Sequence, residues 1–145
     1  MIKQKVEWDD MSNTNEKTES KMNSNLAYNT YAQNNISVES PVKLIEMLYE
    51  GVLRFNMQAK RAIRDEDIEK RTYWVKRSVA ILSELVSSLD ASQGQVAEYL
   101  EGLYNHQIQT LVFAGIHNDI AKIDEVNRVI KGLLEAWRES NAVAK

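Results

Sequence analysis

SPVKLIEMLYEGVLRF, residues Ser40 to Phe55, joins a helix-start signal to a one-sided apolar pattern. Ser40 offers its hydroxyl as a cap. Pro41, the only proline in the chain, takes the first helical position, where a missing N–H costs nothing and a fixed φ already suits the helix. Leu44, Leu48, Val52 and Phe55 then recur at threes and fours, and Ala59 and Ala62 carry the stripe on to about Arg64. The block therefore predicts a first helix from Pro41 to about Arg64.

Outward from this block, three more helices follow. Asp67 is placed to cap a second helix from Ile68 to about Leu89, whose stripe is Ile68, Val75, Val79, Leu82, Val86 and Leu89, widened by Ile81 and Leu85. Asp90 to Gln95, containing Gly94, ends it. A third helix, about Gln95 to His117, carries Val96, Leu100, Leu103, Leu111 and Ala114, with Tyr99, Tyr104 and Ile108 alongside. Gly102 and Gly115 each cost this helix about 1 kcal/mol relative to alanine. The fourth starts near Asp119 and repeats Ile123, Val126, Ile130, Leu133 and Trp137 in alternating steps of three and four, as a bundle seam requires. Short connections make successive helices antiparallel, so the expected fold is all-α: an up-down-up-down four-helix bundle with helices of roughly 30–37 Å.

Before the bundle, the chain changes character. Residues 1–38 are polar and rich in asparagine, without a sustained period, and cannot bury enough to offset their ordering entropy. After Met22 sparse apolar groups appear (Leu26, Tyr28, Tyr31, Ile36 and Val38), able to pack over the bundle or to recognise a partner. The expected organisation is a disordered extension over 1–21, a mobile arm over 22–39, the bundle over 40–140 and a tail over 141–145. Methionines at 11 and 22 also allow a later translation start, which would make residues 1–21 an addition to the native chain.

Composition narrows the chemistry. The 145 residues, 43% hydrophobic, suit one domain with a core plus a tail. Net charge −3 argues against a dedicated phosphate-binding surface, and the absence of cysteine removes disulfides, thiol catalysis and thiolate metal sites. No signal peptide is visible, and the longest apolar run, Leu111 to Ile116, is far short of the roughly 18 residues that cross a bilayer. A cytoplasmic protein without membrane insertion is expected.

A di-metal carboxylate site in a bundle needs Glu-x-x-His, but Leu103 stands three residues before His106 and Ala114 three before His117. Glycine-rich phosphate loops and G-x-S-x-G are missing, and the carboxylate pairs Asp65/Asp67 and Asp124/Glu125 sit at helix starts, where they cap and complement the dipole. No enzyme, cofactor or metal is expected. The run KRTYWVKR, Lys70 to Arg77, interleaves cations with aromatics in a manner suited to single-stranded nucleic acid, although Val75 belongs to the buried stripe and a solvated basic face explains the rest.

AYNTYAQNN before SPVKLIEMLYEGVLRF, then AKRAI at Ala59, DIEKR at Asp67, ELVSSLD at Glu84, LEGLY at Leu100 and EVNRVIKGLLEAWRE at Glu125, together resemble the flagellin-specific export chaperones, the FliS family. The resemblance extends over about Leu26 to Glu139 and is carried most specifically by Ser40, Pro41, Leu44, Met47, Leu48, Tyr49 and Gly51. It implies a cytosolic chaperone that binds the disordered C-terminal segment of flagellin, prevents premature polymerisation and hands the subunit to the flagellar type III export gate. A co-chaperone or a homodimer is a further partner to be tested.

In that family the arm can lie over the client groove, and an arm tyrosine is tied to the gate. Tyr28 matches that tyrosine by its distance from the Ser-Pro pair, with Leu26 beside it and Tyr31 as a neighbour. Exposed parts of helices two to four are expected to hold the client. Two positions depart from the family pattern: Gly94-Gln95 replaces a double glycine, and Ala114-Gly115 replaces an alanine-asparagine pair. The competing readings are a nucleic-acid-binding bundle using Lys70 to Arg77 and a purely structural bundle.

Overall fold

A computed structural model describes residues 40–143. Its four helices are α1 (Pro41–Arg64), α2 (Ile68–Ser87), α3 (Gln95–His117) and α4 (Ile120–Val143), with a 3₁₀ turn (Ala91–Gln93) between α2 and α3. Among the described residues there is no strand.

The caps explain why the helices begin and end where they do. Ser40 has an extended backbone, and its hydroxyl accepts from the Lys43 N–H at 3.4 Å, with Pro41 following as the first helical residue. α1 ends in a Schellman turn: the Asp67 N–H reaches back to the Ala62 carbonyl at 2.9 Å and the Glu66 N–H to Ile63 at 3.0 Å, with Glu66 left-handed at φ 57°. Asp67 immediately caps α2 by accepting from the Lys70 N–H at 3.0 Å. The α3–α4 turn repeats this economy, with Asn118 left-handed and the Asp119 N–H bonded to the Ala114 carbonyl at 2.9 Å. The Asp119 carboxylate then accepts from the Lys122 N–H at 3.2 Å at the start of α4.

Contacts across the helices establish an antiparallel ring in which α1 packs on α2 and α4, and α3 closes the ring between them. Along α1 and α2, Gly51 lies against Ile81, Asn56 against Ser78 and Phe55 against Trp74, so one numbering rises as the other falls. Between α1 and α4 the same holds from Val42/Trp137 through Asn56/Asn127 to Lys60/Asp124. Leu48, Val52, Ala59, Ile81, Leu82, Leu85, Leu111, Ala114, Ile123, Val126 and Ile130 form the dry centre. Each large side chain there contributes about 1.5–3 kcal/mol gross on burial. Gly51 sits where α1 and α2 approach closely, and a Cβ there would lie 2.8 Å from Ile81 Cδ1, so that methyl would have to shift.

The up-down bundle and most inward stripes match the expectation from sequence; the differences lie at helix ends and at polar positions. Ile68 and Val96, expected inside, are 65% and 61% exposed, because each sits in the first turn of its helix, where the bundle end leaves it uncovered. α2 stops at Ser87 rather than near Leu89, and α4 runs to Val143. In α4 the buried leucine is Leu134, while Leu133 is half-buried.

Polar side chains also enter the core. Asn56 donates to Asn127 Oδ1 at 2.8 Å and accepts from the Ser78 hydroxyl at 2.6 Å, linking α1, α2 and α4 through one fully buried amide. Such a network has every strong bond satisfied in a single register, which makes a one-residue slip of α4 costly.

Candidate partner-binding surface

The residues of the Ser40–Phe55 block divide between capping and core. Leu44, Leu48, Tyr49 and Gly51 are buried, Met47 is half-buried, and Pro41 is exposed at the helix start. Tyr49 and Tyr104 share a hydroxyl–hydroxyl bond of 2.7 Å, and burial raises the pKa of both phenols. These residues build the bundle and leave little of themselves for a partner. Leu26, Tyr28 and Tyr31, together with the rest of the arm, lie outside the described residues.

The upper end of α1 is fastened to α4. The Trp137 indole donates to the Val42 carbonyl at 3.0 Å, while the Arg138 guanidinium bonds to Glu46 at 2.6 Å and also to Glu50. The bond from Arg138, helped by Lys43, holds the Glu46 carboxyl below its ordinary pKa.

The basic run on α2 is largely absorbed by the fold. Trp74 packs on Phe55 with ring centres 5.4 Å apart and makes a T-shaped pair with Tyr73 at 4.8 Å. Arg77 is buried, with its guanidinium 4.9 Å from the Phe55 ring centre and 5.2 Å from that of Tyr73. Arg71 donates to Asn118 Oδ1 at 2.9 Å across to the end of α3. Trp74 is therefore half-buried by its own packing while Tyr73 stays 40% exposed, and the exposed cations remaining in the run are Lys70 and Lys76.

The large apolar side chains left in solvent concentrate on α3. Val96, Tyr99, Val112, Phe113 and Ile116 are all exposed, Tyr99 by 67% and Ile116 by 66%, whereas α1 and α2 show only Val42, Met57, Ile68 and Tyr73. At 100° per residue, Tyr99, His106, Phe113 and Ile116 fall on the outward half of the helix, opposite buried Ala97, Tyr104, Leu111 and Gly115. Phe113 also stacks on His117 with ring centres 4.1 Å apart. This outer apolar row is interrupted by the exposed polar residues Asn105, His106 and Gln109. Reading the sequence assigned Val96 to the core and overlooked Val112, Phe113 and Ile116. The available signal was an α3 segment apolar on all sides, LVFAGI, more than one buried face can absorb.

One titrating group lies away from this row. Glu84 of α2 is 5% exposed, its Oε1 has no hydrogen-bond partner, and burial pushes its carboxyl up to about 7. Among the described residues no group of three His, Cys, Asp or Glu side chains could hold a metal ion, and no helix is long and apolar enough to cross a membrane.

Comparison with known proteins adds an independent line. A family described as "Flagellar protein FliS" matches residues 22–144. A flagellar secretion chaperone FliS of Campylobacter jejuni is 59% identical over 119 residues, covering 81% of this chain and 93% of that protein. The Salmonella typhimurium protein of the same name is 31% identical over 117 residues, covering 75% and 85%. The Bacillus subtilis one is 28% identical over 113 residues, covering 78% and 84%.

Proposed function

The chain belongs to the FliS family of flagellar proteins, and on that premise we propose that it is a cytosolic export chaperone for flagellin. It holds the C-terminal segment of newly made flagellin, blocks premature polymerisation and delivers the subunit to the flagellar type III export gate. The observation that carries this reading is the concentration of exposed large apolar side chains on α3, five on that helix against four on α1 and α2 together. An amphipathic segment that folds only in the assembled filament needs a temporary cover for its apolar side, and a helix face of this kind supplies one. The client's ordering cost keeps affinity low enough for release.

The same reading gives the arm a separate task. Tyr28, with Leu26 beside it, acts at the export gate, while Tyr31 and the rest of the arm lie over the client surface until a client arrives. No catalytic step is involved, because holding and release require only differential binding.

Calorimetry with a peptide spanning the flagellin C-terminal segment tests the client assignment. Heat and a defined complex are expected for the wild type, with Phe113→Asp/Ile116→Asp weakening affinity at least about tenfold by placing charge on the apolar row. No complex at tens of micromolar with folded protein would overturn the assignment. For the arm, Tyr28→Ala is expected to leave peptide affinity unchanged and to reduce flagellin secretion; equal secretion by mutant and wild-type cells refutes the gate role.

A further inference from the structure

α3 is fastened unevenly along its length. Its C-terminal half is held against α2 by the packing of Gly115 on Val75, where a Cβ would stand 3.5 Å from Val75 Cγ2, and by the bond from Arg71 to Asn118. Its middle is tied to α1 by the buried Tyr49–Tyr104 hydroxyl pair. Before that pair, no cross-helix hydrogen bond or ion pair involving Gln95–Leu103 is present among the described residues.

Several independent features weaken this first part of the helix. It starts from Gly94, at φ 65° and ψ −124°, a backbone that favours glycine and offers no side chain to cap the helix. Gly102 interrupts it, yet a Cβ at that position would meet nothing within 4 Å, so close packing does not demand the glycine. One flank opens on a cleft of about 570 Å³ walled by Val86, Leu89, Ala91 and Ala97, with Glu98 and Glu101 on its rim. Val96 and Tyr99, both more than half exposed, project from this same part.

We propose that Gln95–Leu103 is a hinged segment that pivots at the Tyr49–Tyr104 pair, with Gly94 and Gly102 absorbing the backbone change, and closes on a bound client through Val96 and Tyr99. The closing half of this statement rests on the reading of α3 as the client surface; the hinge itself does not. A segment uncapped at one end, lacking polar ties to its neighbours and bordered by a cleft belongs to the low-stability end of a fold, where local opening precedes global unfolding. Ordering it on binding spends part of the interaction energy, which suits a complex that must dissociate at delivery.

Hydrogen exchange on the full chain, read by mass spectrometry, tests both halves. In the free protein, amides of residues 98–103 are expected to exchange at least about tenfold faster than those of 106–117. Gly102→Ala should slow the faster set about fivefold by restoring helix propensity. Tyr104→Phe, lacking one hydroxyl of the pivot, should extend fast exchange beyond residue 104. Uniform protection along α3 in the free wild type overturns the hinge. With the flagellin peptide bound, protection of 98–103 should rise at least about tenfold. Binding that leaves those amides unchanged overturns the closing step, whereas failure of the peptide to bind at all overturns the client assignment and the closing step but leaves the free-state hinge result standing.

Discussion

α1 and α3 are nearly equal in length, 24 and 23 residues, yet they deploy their apolar side chains in opposite ways. α1 buries a single stripe and bonds to all three other helices: Asn56 to Ser78 of α2 and Asn127 of α4, Lys60 to Asp124 of α4, and Tyr49 to Tyr104 of α3. α3 buries Ala97, Tyr104, Gln107, Leu111, Ala114 and Gly115 and keeps five large apolar residues in water. One helix anchors the bundle and the other presents a surface. If α3 holds the client as proposed, stability and partner binding sit on separate helices, and each can be altered with limited effect on the other.

The largest test of that separation is a charge in the shared core. Leu82 of α2 is fully buried, and Leu82→Asp should abolish cooperative melting by circular dichroism, since an unpaired carboxylate there costs more than the marginal stability of a small domain. A cooperative transition near the wild-type temperature would show that the centre is not where the ring of helices puts it.

Next in size is Glu84. Its folded pKa, about 7, lies above the ordinary 4.5, so the fold favours the protonated carboxyl. That contribution is fully present below about pH 4.5 and is lost as pH rises through about 7. Glu84→Gln should therefore be more stable than wild type at pH 8 by about 2 kcal/mol, with the gap closing toward pH 4. Denaturant melts at the two pH values measure it. A gap independent of pH would mean that Glu84 is not held in its protonated form by burial.

The smallest stability effect is expected on α3. Phe113→Asp/Ile116→Asp should change unfolding free energy by no more than about 0.5 kcal/mol, as for other exposed sites, even though the same pair is expected to weaken client binding. A large loss of stability would show that these side chains belong to the core after all, and the contrast between α1 and α3 would disappear.

How far the sequence could be read depended on whether a residue's type agreed with its environment. Ser40-Pro41 and Asp67 announced helix starts through local chemistry, and the α1 stripe had a clear phase because apolar residues occupied one side only. α3 had no such phase. With Val96, Tyr99, Val112, Phe113 and Ile116 added to Leu100, Leu103, Ile108 and Leu111, apolar residues surround the axis, and periodicity cannot choose which of them face inward. Asn56, Glu84 and Gln107 were missed for the converse reason, since polar side chains read as solvent-facing until a partner or a neighbouring helix is known to cover them.

Local chemistry along the chain set four helices, most of their caps, their antiparallel order and a block pattern that resembles one family, because these depend on residues within a few positions of one another or on short connections. Tertiary structure alone decided that Asn56 bonds to helices 22 and 71 residues away, that Arg77 is enclosed by aromatic rings, and that the outer row of α3 stays uncovered. Those outcomes depend on which surfaces the other helices occupy. A helix with apolar residues on every side has no preferred inward face until its neighbours take one, and the face they leave is the surface proposed here for the client.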